Sequence, residues 1–352
     1  MRSRRENELR VGLVVPLQGP AGLFGPSCEA VAATALRLIN ETGVLGHEMT
    51  VEVIDGGAAP QQIAREVGWL VDRGLIDAVT GWHISAVRHA IAPVISGRLP
   101  YVYTSLYEGG EDRPGIFCSG ETPNQQVAPA LRWLRDELGM RRWFIVGDDY
   151  VWPRVSARAT TQFAHQLDLE LRGTAYVPLG TQDYTAVLSQ LRESDAQGVL
   201  LYLVGQDAVQ FNRAFAAAGL DDRLIRFSPL MEENMLLASG DGGTRNLFVS
   251  ASYFRSLANG SALDLGRRYV ADHGPDAPPL NNEAESCFEG LMTLASLARR
   301  AGSLDVRRMV ATADGLGYDG PRGSMTMTAN HLRQDIHLAT ADGYDFDVIA
   351  RL

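Results

Sequence analysis

The segment "PYVYTSLYEGGED" (100–112) places Tyr103, Ser105 and Tyr107 within five residues and then breaks into acids and two glycines. A strand that served only a core would not end this way. Side chains alternate along an extended chain, so Tyr103 and Ser105 share one side. Tyrosine offers an apolar face and a hydroxyl, a frequent pairing in small-molecule pockets. "GWHISAVRHAIAPV" (81–94) sets Ser85 just before a helix. A serine there caps the helix through its hydroxyl. Compatibly, it stands beside free N–H groups that bind a carboxylate or carbonyl oxygen. Trp82 and His83 precede it and are expected to be exposed, as a wall beside a small ligand.

Further along, "GDDYVWPR" (147–154) puts Tyr150 at a strand end and Pro153 at a helix start, with Asp148 or Asp149 available as the cap. In "VGQD" (204–207), Asp207 reads as a cap and Gln206 as a group able to donate and accept. In "SPLMEENM" (228–235), Glu232 and Glu233 suit the positive end of a helix, and Glu232 also suits a cationic or NH-rich ligand group. Ser85, Tyr103, Ser105, Tyr150, His83, Trp82, Gln206 and Glu232 are thus the candidate ligand-binding residues.

Catalytic motifs are absent from the sequence. GxSxG, HExxH and a Walker sequence do not occur. "GLGYDG" (315–320) fits GxGxxG literally, but it follows a helical stretch, precedes Pro321 and opens no helix, so it reads as a glycine-rich loop. His83 and His89 are six apart, which is not a metal-ligand spacing on one helix face. The expectation is a non-enzymatic binding protein with no catalytic residue, no metal and no cofactor. The alternative of another class is a hydrolase on a similar frame, which requires a base and a nucleophile in reach of one another.

The elements that must position these groups alternate. "LRVGLVV", "MTVEVID", "IDAVTG", "PYVYTS" and "IFCSG" read as strands, separated by helices such as "GPSCEAVAATALRLINE" and "PQQIAREVGWLVDR". From about 120 the rhythm restarts with "NQQVAPALRWLRDEL", "RWFIVGDD", "GVLLYLV" and their partners. A helical stretch follows, and then terminal β-type segments. Alternating β and α elements imply parallel sheets with helices on both faces. Ligands bind outside the carboxyl ends of parallel strands, and nearly all the unusual side chains fall in those loops. Two such rims facing each other make a cleft.

Composition narrows the class. The 352 residues suit two domains, and 45% hydrophobic with 21% charged content is an ordinary globular balance. A net charge of −10 with no polybasic arm argues against nucleic acid. Cys28, Cys118 and Cys287 are odd in number and far apart, which does not suggest a disulfide framework or a zinc knuckle. No run of about 18 apolar residues exists to span a membrane. The start "MRSRRENELRVGLVVP" is basic but has too short an apolar run for a signal peptide. The expected location is cytoplasmic as given, and periplasmic or extracellular if a leader was removed.

Taken in order, "VGLVVPLQGPAGLFG", "AVTGWHISAVRHAIAPV", "PYVYTSLYEGGE", "TPNQQVAPALRWL", "FIVGDDYVWPRVS", "EAESCFEGLMTLASLARRAG" and "GPRGSMTMTANHL" resemble type I periplasmic-binding-fold proteins. The resemblance spans nearly the whole chain and points to the branch for branched-chain amino acids, urea and short-chain amides. "YTSLYEG" and "DYVWPR" resemble most the amide-sensing regulator of amidase operons, although His83 stands where that sensor has an aromatic. The resemblance implies an α/β fold of two doubly wound parallel-sheet lobes joined by a three-strand hinge. It implies a first lobe of 1–120 plus 253–322, a second of 121–252 plus 323–352, and a ligand cleft between them. Ser85, Tyr103, Ser105 and Tyr150 correspond to ligand contacts of the family. The implied ligand is a small amide, urea-like molecule or amino acid, and closure on it is passed to a regulatory partner protein or to an ABC permease. The first reading is a cytoplasmic sensor; the alternative is the solute-binding component of an ABC importer. A homodimer is compatible with either.

Overall fold

The computed structural model describes residues 8–43 and 46–352. The reading of the first seven residues as leaderless lies outside them. In chain order the elements are β1 (Glu8–Val15), α1 (Gly25–Thr42), β2 (Glu48–Asp55), α2 (Pro60–Asp72), β3 (Ala78–Gly81), α3 (Ser85–Ile95), β4 (Tyr101–Tyr103) and β5 (Ile116–Cys118). Next come α4 (Pro123–Leu138), β6 (Arg142–Asp148), α5 (Val151–Gln166), β7 (Glu170–Val177), α6 (Thr185–Glu193), β8 (Gly198–Tyr202), α7 (Gln206–Ala217), β9 (Ile225–Ser228), α8 (Glu233–Ser239) and β10 (Leu247–Ala251). The chain closes with α9 (Gly260–His273), α10 (Asn282–Ala301), α11 (Val306–Ala313), β11 (Gly317–Gly320), β12 (Gly323–Thr328), β13 (His331–Arg333), β14 (His337–Asp342) and β15 (Asp345–Arg351).

Local chemistry sets these boundaries. Thr122 and Gln125 form a reciprocal capping box at the start of α4, Pro123 takes its first turn, and Gly139 ends it in the left-handed region at φ 68°. Asn281 caps α10 by accepting from the Ala284 N–H at 2.8 Å. Residues 282–291 of α10 are all buried.

Two compact units result. The first contains the described residues through Leu106, Gly110–Gly120 and Asn259–Gln334; the second contains Tyr107–Gly109, Glu121–Ala258 and Asp335–Leu352. The first unit holds an eight-stranded sheet in the order β11-β12-β13-β5-β4-β3-β1-β2, and the second a seven-stranded sheet in the order β15-β14-β10-β9-β8-β6-β7. The central pairings are parallel, as the alternation predicts. Both sheets are mixed at one side, because β11–β12, β12–β13, β10–β14 and β14–β15 pair antiparallel.

Two sequence expectations need correction. "GLGYDG" is not a free loop: its last four residues are β11, paired with β12 through Tyr318↔Met325. The segments on either side of the last two domain passages also fall differently. Residues 253–258 stay with the second unit, where Arg255 N–H donates to Glu233 at 2.8 Å and the Ser256 hydroxyl to the Phe346 carbonyl at 2.8 Å. Residues 323–334 stay with the first, because β13 pairs with β5 and the Gln334 amide donates to the Ser119 carbonyl at 3.0 Å.

Candidate functional site

In the first unit the carboxyl ends of β1, β2, β3 and β4 lie side by side, in the registers Val15↔Asp55, Leu13↔Thr80 and Gly81↔Tyr103. The loops leaving them are tied together. The Asp55 carboxylate accepts from the Leu17 N–H (2.9 Å), the Gly57 N–H (2.8 Å) and the Gln18 amide (2.5 Å). Partial burial opposes its ionisation, but these hydrogen bonds outweigh it and hold its pKa below the usual carboxylate range. Gly81 sits at φ +124°, and a Cβ there would meet the Val14 carbonyl oxygen at 2.3 Å, so only glycine lets β3 end against β1.

His83 is the centre of the next layer. Its carbonyl accepts the Tyr103 hydroxyl at 3.0 Å and the Ser105 hydroxyl at 2.7 Å, and its N–H donates to Ser105 Oγ at 3.0 Å. Its Nδ1 lies 3.1 Å from the Val14 carbonyl oxygen and its Nε2 2.6 Å from the Tyr101 hydroxyl. A carbonyl only accepts, so Nδ1 carries the proton and Nε2 accepts from Tyr101. Burial pushes the His83 pKa down to about 4, keeping the ring neutral. The ring is therefore internal. Trp82 is internal too, packed edge-on against Phe24 at 4.7 Å between centroids. The expectation that Trp82 and His83 are exposed is corrected: the loop they occupy is folded inward between β1 and β4, where apolar and aromatic neighbours cover both rings.

Ser85 is buried as the first residue of α3 rather than its cap; Ile84 holds the cap position, with no side-chain cap bond. Three residues on, Arg88 is buried with its guanidinium 5.2 Å above the Tyr103 ring and its Nε 3.7 Å from Glu111. The sequence reading missed Arg88, Tyr101 and Glu111. The signals existed: Ser85 and Arg88 share a helix face at i, i+3, and Tyr101 alternates with Tyr103 on one side of β4. What the structure brings together in this unit is Tyr103, Ser105 and the His83 backbone.

The second unit repeats the logic with different groups. Tyr150 occupies the cap position of α5, half-buried, with its ring 6.3 Å from Trp152. Gln206 opens α7 and is half-buried, while Glu232 stands at the cap position of α8 and is buried. The capping roles expected of the acids are not found. Asp149 pairs with Arg154 at 2.5 Å. Asp148 accepts from the Val204 N–H at 2.8 Å, and Asp207 from the Gly180 N–H at 2.7 Å. Glu233 accepts from Arg255 N–H, and Glu232 makes no side-chain cap bond. Asp148 and Asp207 thus tie the ends of neighbouring strands together instead of closing their own helices. Asp148 is driven well above its ordinary pKa by burial and then by the neighbouring Asp207 charge. Glu233 is pushed up to about 7, again chiefly by burial.

Among the described residues no group of three or more His, Cys, Asp or Glu could hold a metal ion, and no helix is long and apolar enough to cross a membrane. The three cysteines are buried thiols.

Paired α/β units with hydroxyls and buried acids at their strand ends define a ligand-binding class of protein. The chain belongs to the family described as periplasmic binding protein, which it matches over residues 8–345. It is 24% identical over 347 residues to "Leu/Ile/Val-binding protein homolog 6" of Brucella melitensis, covering 94% of this chain and 86% of that protein. It is 23% identical over 332 residues to "Leu/Ile/Val-binding protein BraC3" of Rhizobium johnstonii, covering 87% and 83%. Among solved structures, a solute-binding protein of an ABC transporter from Rhodopseudomonas palustris, in complex with p-hydroxybenzoic acid, superposes with a TM-score of 0.88 at 18% identity, over 98% of this chain and 96% of that one. LivJ from Streptococcus pneumoniae, in complex with isoleucine, superposes with a TM-score of 0.84 at 15% identity, over 98% and 100%.

Proposed function

We propose that this chain is the solute-binding component of an ABC importer and acts outside the cytoplasmic membrane. Its ligand is a small molecule with a carboxylate or carbonyl oxygen on an apolar body: an aliphatic amino acid, an aromatic carboxylate or an amide. The observation that carries the ligand class is the buried start of α3, which no side chain caps, beside the Tyr103 and Ser105 hydroxyls. Helix-start N–H groups suit an oxygen anion, while both hydroxyls donate to the His83 carbonyl and so fix the loop that leads into α3. The names of the relatives support the importer role: one solved structure is a solute-binding protein of an ABC transporter in complex with p-hydroxybenzoic acid, another a branched-chain amino acid transporter substrate-binding protein in complex with isoleucine, and a curated relative is a Leu/Ile/Val-binding protein homolog.

On this reading Ser85 and the N–H groups at the start of α3 meet the ligand oxygen, Tyr103 and Ser105 hold the loop that leads into them, and Tyr150, Gln206 and Glu232 are the second unit's own candidate contacts. The amide sensor is the second reading, favoured by the "YTSLYEG" and "DYVWPR" loops. A thermal-shift and calorimetry panel of leucine, isoleucine, valine, benzoate, 4-hydroxybenzoate, acetamide and urea tests both. A specific ligand at one hundred times its Kd stabilises the protein by about 2.7 kcal/mol. Ser85→Ala and Tyr150→Phe are each expected to weaken it about tenfold or more, the loss of one hydrogen bond to a charged group. An amide that binds while the carboxylates do not favours the sensor. Silence across the panel overturns the ligand class.

A further inference from the structure

The first unit holds a cavity that shares no residue with the strand-end loops. It has a volume of about 220 Å³ and lies among α1, α9, α10 and β11. At about 30 Å³ per water, that is room for roughly seven waters or a similar number of ligand heavy atoms. Leu38, Leu265, Phe288 and Met292 give it apolar walls. Its polar lining centres on Glu289, which is fully buried. Glu289 Oε1 accepts the Tyr318 hydroxyl, which is itself 2.6 Å from Thr293 Oγ1. Glu289 Oε2 has no hydrogen-bond partner among the described residues.

A buried carboxylate oxygen left unpaired costs free energy, and native proteins seldom carry one without a reason. Gly320 borders it closely: a Cβ there would stand 3.1 Å from Glu289 Oε2 and 2.4 Å from the Met325 methyl, so any larger residue would crowd the carboxyl group. The rim adds Asp264 and Asp319, while the single lining cation, Arg268, is directed at Glu41 at 3.7 Å. The cavity is thus apolar in its walls and mainly acidic in its polar lining.

We propose that this cavity is a second binding site, for a small organic ammonium ion with an apolar body, whose nitrogen is held by Glu289 Oε2. The site is independent of the ligand assigned to the strand-end loops. The groups facing Glu289 are Tyr318 from β11, Glu285 one turn back on α10, and Arg322 after β11, with Asp264 and Arg268 on α9 and Asp319 at the rim. Burial, and then the Glu285 charge, raise the Glu289 pKa to about 8, against the opposing pull of Tyr318 and Arg322. An arriving ammonium therefore replaces a proton, and binding strengthens as pH rises toward 8.

The probe is benzylammonium, measured by calorimetry and ligand-observed NMR on the full chain, with benzyl alcohol as the neutral isostere. Expected are binding to the wild type, affinity rising about tenfold per pH unit between 6 and 8, at least tenfold loss in Glu289→Gln and in Gly320→Ala, and no comparable binding of benzyl alcohol. Melting curves establish that each variant is folded, and Gly320→Ala decides the matter if Glu289→Gln does not fold. Equal binding of benzyl alcohol, unchanged affinity in a folded variant, or no binding of benzylammonium to the wild type overturns the proposal.

Discussion

His83 Nε2 accepts the Tyr101 hydroxyl at 2.6 Å, and the opposite face of the same ring donates from Nδ1 to the Val14 carbonyl at 3.1 Å. Both bonds need the neutral tautomer. Burial puts the folded pKa at about 4, below the ordinary imidazole value of 6.5. Between those values the unfolded chain binds more protons, so the stability His83 contributes is complete above about pH 6.5 and lost as pH falls toward 4. The interval corresponds to about 3 kcal/mol. His83→Gln is expected to be less stable than the wild type at pH 7 and to close most of that gap by pH 4. Urea midpoints of both proteins at the two pH values check it. The difference is the quantity to read, because Glu233 and Glu289, with raised pKa values, titrate with the opposite sign.

Gly120 and Gly266 predict opposite outcomes for one substitution. A Cβ on Gly120 would stand 1.9 Å from the Ser105 carbonyl oxygen and 2.6 Å from the Leu106 nitrogen, both backbone atoms that cannot rotate away. Gly120→Ala is expected to cost about 1–3 kcal/mol or more and to displace Ser105, weakening ligand binding. Gly266 lies inside α9 with nothing within 4 Å of its Cβ position. Gly266→Ala is expected to raise stability by about 0.5–1 kcal/mol, the helix cost of glycine. Denaturant unfolding of the two variants in parallel reads both signs.

Those contrasts also show what the sequence carries and what it does not. The strands and helices are legible because buried runs such as "RVGLVV" and "GVLLYLV" and amphipathic stretches have a period that local composition reveals. The meeting of Tyr103 and Ser105 is legible for the same reason, since alternation alone puts them on one side of β4. The burial of Trp82 and His83 is not, because a loop has no period from which to tell inside from outside. Nor is the use of Asp207, whose partner Gly180 lies 27 residues away and is set by the parallel order of β7, β6 and β8. β11 escapes recognition because an edge strand of four residues, two of them glycine, is defined by its antiparallel neighbour β12 rather than by its own residues.

Asp148 and Asp207 supply a pH test of the second unit. Burial and the Asp207 charge raise the Asp148 pKa, so the folded state holds a proton that the unfolded chain releases above its own value near 3.8. The associated stability is present below that value and lost as pH rises through the folded pKa. Asp148→Asn removes the charge but keeps an oxygen for the Val204 N–H. The variant is expected to match the wild type near pH 3.5 and to exceed its melting temperature increasingly toward pH 8. Asp148→Ala, which strands that N–H, is expected to lose about 1–3 kcal/mol. A lower melting temperature for Asp148→Asn at pH 8 contradicts the assignment.

Arg322 and Glu285 form an ion pair with both side chains fully buried, and the Arg322 Nη2 also donates to the Asn282 carbonyl at 3.0 Å. Desolvating two charges consumes much of what their attraction returns, so the pair's net worth is small while the loss of one member is large. Arg322→Met is expected to destabilise the protein by about 3–5 kcal/mol, because Glu285 then remains buried without its cation and beside Glu289. Glu285→Gln alone leaves the guanidinium partly unsatisfied and should cost a comparable amount. Combining the two removes both charges, and the double variant is expected to be more stable than the sum of the single losses by about 2 kcal/mol or more. A double-mutant cycle by urea unfolding measures that coupling. Additive losses would mean that the two side chains act separately, through packing rather than charge.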